Sequence, residues 1–103
     1  MSEGPVVIFV DFPNHDFSAA RTEALKPLAE DIAKHPGVLW KIWTEDRAAG
    51  RAGGMYLFET RVQAEAYVAM HRERLAKRGV TEMVAEFRTI NPVLSAIDRA
   101  PVG

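Results

Sequence analysis

Residues Gly37 to Glu45 read GVLWKIWTE, and after a short connection Ala52 to Glu59 return as AGGMYLFE. Two runs of β-branched and aromatic residues joined through a glycine-containing loop predict a β-hairpin, and a hairpin this apolar needs further strands and a covering layer. Strict alternation divides the first run. Val38, Trp40 and Ile42 point to one face, while Leu39, Lys41, Trp43 and Glu45 point to the other. The first set is the drier and is expected to face helices. The second mixes apolar and charged groups, which suits an interface or a lined cavity.

The rest of the chain supplies that covering layer. Val6 to Phe12 (VVIFVDF) reads as a largely buried strand, broken at Pro13-Asn14-His15-Asp16. A helical pattern runs from about Ser18 to Lys34, with Leu25, Leu28 and Ile32 on one side. Pro27 is expected to kink it or to mark where its straight part begins. His35-Pro36-Gly37 ends it. Asp46 to Gly53 reads as a mobile connection, and Gly54 to Phe58 as the returning strand. Thr60-Arg61-Val62-Gln63 has the form of a capping box, opening a second helix that closes on Lys77, Arg78 and Gly79. A fourth strand is expected over Glu82 to Ile90. Asn91-Pro92 then offers an N-cap with proline at N1, starting a short helix through Ala96 to Asp98 and a tail within residues 91–103.

The order β-α-β-β-α-β predicts an α+β, ferredoxin-like domain with an antiparallel four-stranded sheet and both helices on one face. All 103 residues belong to one domain. The uncovered sheet face carries Val7, Phe9, Leu39, Trp43 and Met55 or Leu57, too apolar to stay in water. Two-fold pairing of two sheets covers it, so a homodimeric α+β barrel is expected, with Lys41, Trp43 and Glu45 as dimer-interface residues.

A net charge of −1 with 26% charged residues favours neither a nucleic acid nor a membrane surface as partner. No apolar run is long enough to span a bilayer and no leader pattern opens the chain, so a cytoplasmic protein is expected. Cysteine is absent, which removes disulfides, thiol catalysis and thiolate metal sites. His15 and His35 lie in predicted loops, and no HExxH or comparable spacing points to a metal. Gly50-Arg51-Ala52-Gly53-Gly54 lacks the ending of a phosphate loop and joins strand to strand.

His71 is the first catalytic candidate. At about 100° per residue, Ala64, Tyr67, Val68, His71 and Leu75 share one side of the second helix. A histidine aimed inward either exchanges a proton near neutral pH or is a core histidine satisfied by a backbone or carboxylate partner. Trp40, Tyr56 and Tyr67 are expected beside it, as walls of an aromatic pocket for a small molecule or as plain core packing.

Several stretches in register resemble one family. GVLWKIWTE, AGGMYLFE, AEAYVAMHRERLAKRGV (Ala64 to Val80), INPVLSAID (Ile90 to Asp98) and KPLAEDIAKHPG (Lys26 to Gly37) together look like the YdhR family of mono-oxygenases. The resemblance implies a dimeric α+β barrel and a cofactor-independent mono-oxygenase acting on small aromatic compounds of phenolic or quinol type. In that chemistry the deprotonated substrate gives an electron to dioxygen, with no flavin or metal. The same barrel also serves as a non-catalytic small-molecule binder or a stress-related dimer, and a cavity filled by the chain's own side chains would suit an interaction protein.

Overall fold

Strand β1 (Val6–Pro13) occupies the middle of the sheet. In the computed structural model, which describes residues 4–102, it pairs antiparallel with β3 (Arg51–Phe58) on one side and β4 (Val84–Thr89) on the other. Strand β2 (Val38–Asp46) pairs with the free edge of β3 and completes the order β2-β3-β1-β4. The outermost residues of the expected 1–103 domain, 1–3 and 103, lie outside the described ones. The element sequence is the anticipated βαββαβ with a short third helix after it.

Helix α1 (Ala19–Ala33) starts at Ser18, whose hydroxyl accepts the Arg21 N–H at 3.1 Å. It runs through Pro27, which removes the partner of the Glu23 carbonyl; both residues are exposed, so water takes that carbonyl over. Helix α2 (Arg61–Ala76) starts at Thr60, which accepts from the Gln63 N–H and donates to the Gln63 side chain at 3.0 Å. Its buried residues are Ala64, Tyr67, Val68, His71 and Leu75, the set predicted from helical spacing. Helix α3 (Pro92–Ile97) is capped by Asn91, as its sequence requires, and buries none of its residues.

The core lies between the sheet and the two long helices. Val6, Ile8 and Val10 of β1, with Tyr56 and Phe58 of β3, meet Ile32 of α1 and Ala64, Tyr67, Val68 and Leu75 of α2. Gly53 is required by this arrangement, because a Cβ there would run into the Val10 carbonyl oxygen on the neighbouring strand. Half of the expected loop over Asp46 to Gly53 is strand: β2 continues to Asp46, β3 begins at Arg51, and Arg47–Gly50 turn. Backbone bonding to both β1 and β2 outweighs the low strand preference of Gly53-Gly54. No helix among the described residues is long and apolar enough to cross a membrane.

Candidate active site

Strand β2 is not regular. Val38 pairs with Phe58, but Trp40 pairs with Leu57, so Leu39 is an extra residue in a β-bulge. One inserted residue reverses the phase of everything after it. Lys41, Trp43 and Glu45 thereby come to lie opposite Tyr56, Gly54 and Ala52 on the helix side of the sheet. Trp40 and Ile42 turn to the outer side, opposite Leu57 and Met55. This corrects two expectations drawn from strict alternation: of Val38, Trp40 and Ile42 only Val38 joins the core, and the outer face does not carry Lys41, Trp43 and Glu45.

The reversal builds a cavity of about 380 Å³ between the sheet and the helices. Phe12 of β1, Leu25 and Leu28 of α1, Trp43 of β2, Tyr56 of β3 and Leu75 of α2 give it apolar and aromatic walls. Its polar points are Lys41, Glu45, Arg21, His71 and Arg78, with Asn14 and Asp16 at the loop after β1. Arg21 and Glu45 pair with each other at 3.7 Å. A mostly apolar hollow with a few convergent polar groups is the usual make-up of a small-molecule site.

His71 is 5% exposed, and its Nδ1 lies 3.0 Å from an Nη of Arg74. A guanidinium only donates, so Nδ1 accepts and the neutral ring carries its proton on Nε2. Burial, then the positive charges of Arg74, Lys41 and Arg78, lower the imidazolium pKa to about 4. At neutral pH His71 is therefore a neutral donor through Nε2, held in place by Arg74 and by stacking on Tyr67 at 5.4 Å. Arg74 was not foreseen. Its signal was the i, i+3 spacing from His71 on one helix.

Lys41 is the second group that alternation misplaced. Its Nζ stands 3.4 Å from the centre of the Trp43 ring and 4.6 Å from that of Tyr56. Among the described residues no carboxylate lies within ion-pair distance of it. Gly54 leaves room for the stem, since a Cβ there would come within 2.7 Å of Lys41 Cε. Burial, with help from Arg74 and Arg21, pulls this ammonium down to about 7.

The aromatic candidates separate. Tyr56 lines the cavity, whereas Tyr67 and Trp40 are absent from its lining. Tyr67 is fully buried behind it, sharing a 2.9 Å hydroxyl hydrogen bond with Tyr56; burial raises both phenols, so neither is a base at neutral pH. The Trp40 indole N–H donates to the Pro101 carbonyl at 2.9 Å, fastening the C-terminal tail. Among the described residues, no group of three or more His, Asp or Glu is gathered as metal ligands would be.

Residues 7–101 match the family described as "Putative mono-oxygenase ydhR". Among solved structures the chain is similar to a variant of SnoaB, a cofactor-independent oxygenase from Streptomyces nogalater. The two are 15% identical with a TM-score of 0.61, over 85% of this chain and 94% of that one. It is also similar to a protein from Shewanella loihica PV-4 described as a "putative monooxygenase", at 16% identity and a TM-score of 0.57, over 88% of this chain and 97% of that one. At these identities the likeness is one of fold. No curated protein sequence matches the chain.

Proposed function

The chain belongs to the ydhR mono-oxygenase family, and we propose that the cavity between β2, β3 and the two long helices is its active site, oxidising a small aromatic substrate with dioxygen. The observation that carries this reading is the presence of neutral, fixed His71 on the lining of a hollow that also holds the side chains of Trp43, Tyr56, Phe12 and Leu28. A flat phenolic or quinol-type ring fits between such walls, with its oxygen in reach of a hydrogen-bond donor.

The overall reaction balances without an added reductant when a ring CH₂ becomes C=O. One atom of dioxygen enters the product, the other leaves as water, and the substrate supplies the four electrons. His71 contributes by donating Nε2–H to the substrate oxygen, and the low-dielectric walls strengthen that bond and keep bulk water from a reactive intermediate. With Nδ1 held by Arg74, the ring orients the substrate and does not accept its proton.

Homodimerisation is part of the same proposal. The outer sheet face exposes Phe9 (39%) and Ile42 (52%), and α3 exposes Leu94 (60%) and Ile97 (70%). Large apolar groups exposed on the outer sheet face of a small domain favour a second copy over water.

The test is dioxygen uptake with a panel of quinols and anthrone-like compounds. We expect product carbonyl and consumed dioxygen in equal amounts, with kcat falling roughly tenfold to a hundredfold in His71→Ala. Binding of these compounds without any dioxygen uptake would instead make the cavity a binding site.

A further inference from the structure

Resting on the reading of the cavity as the substrate site, we propose that Lys41 takes the proton of the bound substrate and then holds the resulting anion. The ligand class is thereby narrowed to aromatics with an acidic O–H, phenols or enols. The transfer is balanced as written: the O–H bond breaks, its electron pair stays on oxygen, and the proton forms a fourth bond to the Lys41 nitrogen, leaving an oxyanion beside an ammonium.

Three observations carry this. The amine lies on the cavity lining, between the rings of Trp43 and Tyr56, where a flat substrate would sit. No described carboxylate competes for it, because Glu45, the acid on the same face of its own strand, is engaged by Arg21. The side chain is accommodated by a glycine at position 54, so its position is built into the sheet.

The positive groups around it favour the oxyanion of the product state. Arg21 faces it from α1, His71 and Arg74 from α2 and Arg78 from the turn after α2, while Glu45 shares β2 and Asp16 the loop after β1. Arg74, whose Nε is buried with no hydrogen-bond partner, stands outside the cavity lining, so its pull on an anion there is through charge alone. Burial has already brought Lys41 into the neutral range, where it accepts a proton readily, whereas His71 stays neutral down to about pH 4.

The experiment uses 3-nitrophenol, a weaker acid than the Lys41 ammonium whose phenolate absorbs in the visible, mixed with excess protein about one pH unit below the phenol's solution pKa, where Lys41 is largely unprotonated. No turnover is needed, so the outcome is independent of whether dioxygen is ever consumed. We expect the bound phenol to be mostly ionised, its acid dissociation constant raised well over tenfold, with its proton kept on Lys41 in the wild type and released to solvent in Lys41→Arg. Lys41→Met, checked for folding by circular dichroism, should still bind the probe, seen as tryptophan quenching, but in its neutral form. Equal phenolate absorbance in wild type and Lys41→Met would overturn the proposal, as would a neutral bound phenol in the wild type or the absence of binding to either.

Discussion

Arg74 donates to Nδ1 of His71 at 3.0 Å, one turn along the same helix, and so decides which nitrogen of the ring carries the proton. A histidine picked out for its inward position becomes a neutral donor by virtue of a neighbour three residues away. Stability should record this. The unfolded ring protonates near the ordinary imidazole value, the folded one only near 4. The unfolded state therefore binds more protons between about pH 6.5 and 4, and stability falls as pH drops through that window. In urea titrations at several pH values, His71→Asn, which still offers Arg74 an acceptor, should lose that component. A wild type and variant with parallel pH profiles would show that the folded ring takes up its proton at the same pH as the unfolded one.

Tyr56 and Tyr67 share one buried hydroxyl–hydroxyl bond behind the cavity wall. Removing the Tyr67 hydroxyl strands that of Tyr56, at a cost of about 1–3 kcal/mol, whereas Tyr67 keeps its interaction with Arg74. The double Tyr56→Phe/Tyr67→Phe variant should be less destabilised than the sum of the singles, with a coupling of about 0.5–3 kcal/mol from denaturation. Strict additivity would mean that the two hydroxyls do not depend on each other.

Gly53 pairs with Asp11 across β3 and β1. Gly53→Ala should lower stability by about 1–3 kcal/mol, because the new methyl must displace the Val10 carbonyl from its strand pairing. A thermal midpoint unchanged from wild type would contradict the observed register.

The two-fold assembly has its own readout. Ile42→Lys together with Phe9→Lys puts charge onto the exposed apolar outer sheet face without touching the cavity lining. Sedimentation equilibrium should give a dimer for the wild type and a monomer for the variant. A monomeric wild type would remove the proposed assembly.

How legible the site was depended on the element that carries each residue. The helical period sorted α2 completely, since five buried residues on one face leave little room for a different phase. Caps at Ser18, Thr60 and Asn91 were legible because a single side-chain oxygen decides them. Strand β2 was not. Its period of two is undone by one extra residue, and Leu39 bears no glycine or proline that would mark a bulge. That residue alone moved Lys41 and Trp43 from an expected subunit contact to the cavity, and Trp40 from the cavity to the outer side.

The account turns on that reversal, so the two tryptophans provide its most direct test. Dioxygen uptake with an active phenol or quinol should fall tenfold or more in Trp43→Ala and stay within about twofold in Trp40→Ala, both checked for folding. Activity lost in Trp40→Ala and kept in Trp43→Ala would contradict it, and would place the site on the other face of the sheet.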